Sequence, residues 1–347
     1  MTMMNLGRRG AIGSMLTFAA IAHAQPAMEE ELVFAGNPGV TQGLIEREIF
    51  PDFARRHGVR RLTYVPSPVA ENLARLRTQR GRPSIDVIWL AGASTYQAAA
   101  EGLLAQIDRA QVPNVATLPE GRFGEGLYLP LGLTVVGLLY NQRILAERRI
   151  TPPTSWFDMW NPVFRGHTGF LTINSTSTIA MLALLSKELS GDPMNFDAAL
   201  ARLRQLKPNV YDFFSSSGPM DTLVQQGELW MWSHISARAM QYHNAGFPAR
   251  FVTPKEGAVG YEAQVGIVKD APHPRVAHAW VNYLLSPDVQ QKIALQLGYS
   301  PINPNTVIPE QFREFLPRAE DVFVPDWQRL SAMLPQIVQR WNREVER

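Results

Sequence analysis

Apolar residues recur along this chain in two rhythms. Short dense runs at 31–36, 61–66, 85–90, 134–140, 168–173, 210–214, 250–253 and 263–268 predict strands. Between them apolar residues fall at three- and four-residue spacing, which predicts helices at 41–57, 69–80, 179–189, 197–206 and 219–226. Pro51 lies inside the first of these and predicts a kink or a split. From His273 onward the pattern is helical, at 275–285, 287–297, 309–315 and 327–346. Strands alternating with helices predict βαβ units and a mostly parallel sheet. The nearly continuous apolar stretch 127–141 changes character and predicts a strand that carries the chain into a second lobe.

The segment 229–238 (LWMWSHISAR) concentrates bulk and polarity together. Its first four residues predict a buried strand, Ser233 and His234 break the run, and a helix opens near Ile235. In open α/β sheets, ligands bind at such C-terminal strand edges. Trp232 offers a flat apolar face there, Ser233 and His234 hydrogen bonds, and Arg238 a charge.

A chain of 347 residues exceeds one ordinary core and predicts two domains. A net charge of only +2 gives no basic stripe for nucleic acid, so no nucleic-acid partner is expected. Zero cysteines exclude disulfides, thiolate metal sites, a cysteine nucleophile and a lipoprotein anchor. Residues 1–24 predict a cleavable export signal: Arg8 and Arg9, a short apolar stretch, then Ala22-His23-Ala24. The expected destination is the periplasm. No GxSxG elbow, HExxH, HxxxH, GxxxxGK or GxGxxG motif occurs, so neither catalysis, a metal nor a cofactor is expected.

Several pieces resemble the periplasmic solute-binding components of ABC importers, in the branch that includes polyamine- and iron-binding proteins. They are PTSWFDMWNPVFRG at 153–166, GELWMWS at 227–233, PKEG at 254–257, AHAWVNYLLSPDV at 277–289 and LGYSPIN at 297–303. Asp86-Val87-Ile88, Gly102-Leu103-Leu104 and Ile107-Asp108 match the family's first lobe. The resemblance implies an α/β, type II periplasmic binding fold, with two lobes of mixed sheet flanked by helices and joined by two crossover strands. It divides the mature chain into 27–133 plus 263–301 as lobe 1 and 134–262 plus 302–347 as lobe 2. It further implies a monomer that holds a small molecule between the lobes and delivers it to a membrane permease.

The residues at the expected cleft are rich in hydroxyls and helix-end donors. They are Asn37, Thr41, Ser94, Asn174, Ser175, Thr176, Ser177, Ser215, Ser216, Ser217 and Ser233, with His234 and Arg238 as positive partners. Trp232 and Tyr261 match aromatic cleft positions of the polyamine-binding relatives, whose acid falls at Ala263 here, with Glu262 one residue away on the strand's other face. Iron-binding relatives use paired tyrosines, and no Tyr-Tyr pair occurs. The expected ligand is therefore a carboxylate or phosphonate with an apolar or aromatic part. The alternatives are a polyamine, a sensor module for a receptor, or a hydrolase.

Overall fold

In the computed structural model, residues 28–119, 122–123 and 125–346 are described. The predicted export signal at 1–24 lies outside them. The chain begins with β1 (Glu31–Gly36), then α1 (Val40–Leu44), a π-helical turn at Ile45–Ile49 and α2 (Phe50–His57). Pro51 therefore does not split the predicted helix. It lacks an N–H and its ring would clash with the carbonyl of Arg47, and the widened π turn just before it absorbs that conflict.

Next come β2 (Arg61–Pro66), α3 (Val69–Thr78), β3 (Val87–Ala91) and α4 (Ala93–Ala100). The long apolar stretch forms β4 (Leu129–Asn141), five residues earlier in its start than the pattern predicted. The chain continues through α5 (Gln142–Arg148), β5 (Thr168–Leu171), α6 (Thr176–Ser190), α7 (Asp197–Arg204), β6 (Val210–Phe214) and α8 (Ser217–Gln226). It then runs through β7 (Met231–Ile235), α9 (Ser236–Asn244), β8 (Ala249–Val252) and β9 (Ala258–Ile267). It ends with α10 (Pro274–Leu284), α11 (Pro287–Leu297), β10 (Val322–Phe323) and α12 (Trp327–Trp341). The helix predicted at 309–315 is only a single 3-10 turn, Glu310–Phe312, in a segment broken by Pro309 and Pro317.

The strands form one mixed ten-stranded sheet in the order β2-β1-β3-β9-β4-β7-β5-β6, with β10 beside β9 and β8 beside β4. Pairing is parallel at β2-β1-β3 and at β7-β5-β6. The long strands β4 and β9 lie antiparallel between these two ends. Each end has helices and an apolar core of its own. Phe34, Phe53, Trp89 and Trp280 pack with Leu129, Leu131, Val265 and Ile267 at the β1–β3 end. At the other end α6 is buried almost all round from Ser177 to Ser186. A β-bulge between Pro130 and Gly132 bends β4 where it leaves the first end. α12 packs on both α4 and the α6 core, so the C-terminal helix ties the two ends together.

Candidate functional site

Strand direction alone creates a cleft. β3 runs antiparallel to β9 and stops with Ala91 opposite Ala263. β7 is antiparallel to β4, which is antiparallel to β9, so β7 runs along β9 in the same sense. It stops with Ile235 opposite Val136, which pairs with Val259. The C-terminal ends of β3 and β7 thus point at each other, separated by Gly260, Tyr261 and Glu262. β1 is parallel to β3, and β5 and β6 are parallel to β7, so their following turns open onto the same gap. Carboxyl ends of strands are where open α/β sheets hold ligands.

On the β1–β3 side the turns after β1 and β3 carry Asn37, Thr41 and Ser94. Gly36 permits a close approach there: a Cβ would lie 2.5 Å from the Tyr64 hydroxyl, which donates to the Asn37 carbonyl at 2.6 Å. Ser94 spends its hydroxyl on the Ala91 carbonyl at 2.7 Å, and Thr41 is buried. On the facing side the predicted loop 174–178 is mostly helix. Ser175 is the N-cap of α6 and its side chain accepts from the Ser177 N–H, which places Thr176 and Ser177 in the first turn. Asn174, Ser215 and Ser216 are exposed. No acidic residue occupies the first turn of α6 or α8, so both positive helix ends stay uncompensated.

The crossover strands supply what joins the two sides. Tyr261, opposite Thr134, lies near Ser177 and meets the Trp327 ring edge-on at 6.2 Å. Burial raises its phenol pKa. Tyr299, also near Thr134, tilts against Trp89 at 6.2 Å and is pushed up to about 12 by burial. Gly132 admits Tyr299, since a Cβ there would lie 2.9 Å from the Tyr299 Cβ. Thr134 therefore stands beside two tyrosines.

Glu262 is held from two directions. Arg122 Nη1 lies 2.6 Å from its Oε1, and Gln264 Nε2 donates to its Oε2 at 3.0 Å. Tyr96, from the first turn of α4, lies near Gln264, and its pKa is raised by burial first, with Tyr128, Glu262 and Asp326 adding negative surroundings. Asp326 itself caps α12, accepting from the Arg329 N–H at 3.0 Å.

His234 is 3% exposed and has a defined tautomer. Its Nδ1 accepts from the Ile235 N–H at 2.7 Å, so Nε2 carries the proton and donates to Ser217 Oγ at 2.9 Å. The Ser217 hydroxyl is left free to donate onward at the start of α8. Burial first, then the nearby Arg238 charge, lowers the His234 pKa to about 3, so the ring is neutral.

Four expectations on 229–238 are corrected, the first being that His234, buried and neutral, is not a positive partner. Ser233 and His234 do not break the strand but lie within β7, where Ser233 pairs with Leu138 and His234 with Gly137. Trp232 is not a cleft wall. It is 0% exposed in the core with Met220, Tyr242 and Phe251, because strand alternation turns it to the α8–α9 face. Arg238 is paired with Asp221 at 3.4 Å and with Gln241 at 2.6 Å rather than presented to the gap. Thr134, Tyr96, Tyr299, Gln264 and Arg122 were missed. Tyr299 lay in plain sight within LGYSPIN, whereas nothing local marks Arg122.

A separate groove of about 750 Å³ lies between Pro301–Ile308 neighbours and the 313–321 segment, lined by Ile302, Val307, Ile308, Arg313 and Leu316. It shares no residue with the cleft just described.

An α/β sheet with two long crossover strands, strand ends converging on one gap and a hydroxyl-lined wall defines a ligand-binding protein. The bacterial extracellular solute-binding protein family matches residues 48–314, and the chain belongs to that family. It is 26% identical over 323 residues to the spermidine/putrescine-binding periplasmic protein 1 of Haemophilus influenzae, covering 88% of this chain and 86% of that one. It is 23% identical over 305 residues to a Salmonella typhimurium periplasmic protein provisionally named for 2-aminoethylphosphonate binding, covering 86% of each. Among solved structures, an ABC transporter protein from Clostridium perfringens superposes with a TM-score of 0.79 at 24% identity, over 90% of this chain and 99% of that one. These likenesses are to solute-binding proteins of ABC transporters and not to enzymes.

Proposed function

We propose that the chain is the exported substrate-binding component of an ABC importer that captures a small organic anion, a carboxylate or phosphonate with an apolar part. On this reading residues 27–133 plus 263–301 and 134–262 plus 302–347 are lobes that close on the ligand, and the closed monomer docks on a permease. Residues 1–24 direct it to the periplasm, and no nucleic acid is involved.

The observation that carries the ligand class is the state of the acids around the gap. The turns 37–41, 92–95, 172–177, 215–217 and 233–236 contain no carboxylate. Glu262 is paired with Arg122, Asp221 is paired with Arg238 and accepts from the Tyr242 hydroxyl, and Asp326 is committed to its helix cap. What remains is donors: the N-termini of α6 and α8, Asn174, Thr176, Ser177, Ser217 and the two tyrosines. Such a set suits an anion, because an ammonium placed there would lose its hydration without gaining a counter-charge.

A polyamine is the second reading, favoured by the relatives named for spermidine and putrescine. A thermal-shift and calorimetry panel of benzoate, 2-aminoethylphosphonate, phenylphosphonate, putrescine and spermidine separates the two. The expected result is stabilisation by carboxylates or phosphonates; stabilisation by the polyamines alone would replace the anion reading with the second one.

A further inference from the structure

Glu262 is the acid best placed to receive a cation, yet it already has one. It stands on β9 opposite Leu133, at the level of the gap between the ends of β3 and β7. Around it meet the first turn of α4 through Tyr96 and the crossover strand through Gln264. Its side chain is 11% exposed and that of Arg122 is 21% exposed, so neither charge is fully screened by water. Arg122 comes from the connection preceding β4 and lies 140 residues away in sequence.

From this juxtaposition we infer that Arg122 determines ligand specificity, by occupying Glu262 as an internal cation and so making the site reject amines. The inference rests on the anion reading above and adds the residue that enforces it. Two full-strength contacts hold the carboxylate, the guanidinium on one oxygen and the Gln264 amide on the other. An incoming ammonium would have to displace Arg122, leaving a guanidinium without a counter-charge, or approach a carboxylate whose charge is already cancelled. Both are unfavourable where water is scarce. An anion meets the reverse situation, because the pair offers it no net repulsion. Without Arg122, Glu262 would become an uncompensated carboxylate beside Tyr96 and Tyr128, a setting that suits an alkyl-ammonium chain.

The test compares wild type, Arg122→Gln, Glu262→Gln and the double variant by calorimetric titration with putrescine. Arg122→Gln should gain roughly tenfold or more in putrescine affinity, as expected for exposing one partly buried carboxylate to a cation. The gain should vanish in the Arg122→Gln/Glu262→Gln double variant. A folded Arg122→Gln protein with no gain overturns the inference, and so does a gain that survives in the double variant. Should Arg122→Gln fail to fold, Glu262→Gln decides the matter. It leaves the guanidinium unpaired, so whichever anion of the panel binds wild type should bind it severalfold tighter, and unchanged binding overturns the inference. The wild-type panel judges the anion reading separately: wild type that takes polyamines and no anion defeats that reading, whatever the variants do.

Discussion

At the scale of single residues, burial decides roles that side-chain type leaves open. Trp232 has the chemistry of a stacking surface, but its 0% exposure makes it core. Trp232→Ala should lower the unfolding free energy of the ligand-free protein by about 3–5 kcal/mol, the usual cost of emptying a buried tryptophan site. Chemical denaturation measures this, and an unchanged midpoint would return Trp232 to the cleft. His234 makes a second prediction, in pH. Its folded pKa, about 3, lies below the unfolded value of 6.5. Above pH 6.5 the ring is neutral in both states and its contribution to stability is whole. Below that the unfolded chain takes up a proton that the folded chain refuses, so stability falls as pH drops from 6.5 towards 3. The loss attributable to His234 is on the order of 2 kcal/mol by about pH 5. Melting curves across that window should show a shallower acid decline for His234→Gln than for wild type, and parallel curves would contradict the assignment.

At the scale of elements, the hydroxyl-rich loop 174–178 shows how a cap reshapes a site. The pattern of small polar residues reads as a loop, and periodicity begins only at Ile179. The Ser175 side chain accepts from the Ser177 N–H and starts α6 at Thr176, which sets the helix end near Tyr261. Ser175→Ala should cost about 1 kcal/mol of stability and weaken binding of any anion that stabilises wild type, read together by thermal shift with and without ligand. The π turn before Pro51 and the bulge before Gly132 are likewise local accommodations that leave the surrounding element in place. Their sequence signals are single residues, a proline and a glycine, and what each does depends on its neighbours in space.

At the scale of the whole molecule, two long strands carry the architecture. β4 and β9 pass through both ends of the sheet and reverse the sense of what lies on either side of them. That reversal sets strand ends head to head and creates a gap without any loop being dedicated to it. Alternating strands and helices, the apolar stretch that becomes β4 and the ordered family pieces were legible along the chain, because periodicity and local chemistry act over a few residues. The polar residues at the strand ends were legible too, because they are short-range signals. The face taken by Trp232, the partner of Arg238 and the pairing of Arg122 with Glu262 were decided only by the tertiary structure. Each depends on strand register or on contacts between distant segments, 140 residues apart in the last case, and no local pattern encodes those.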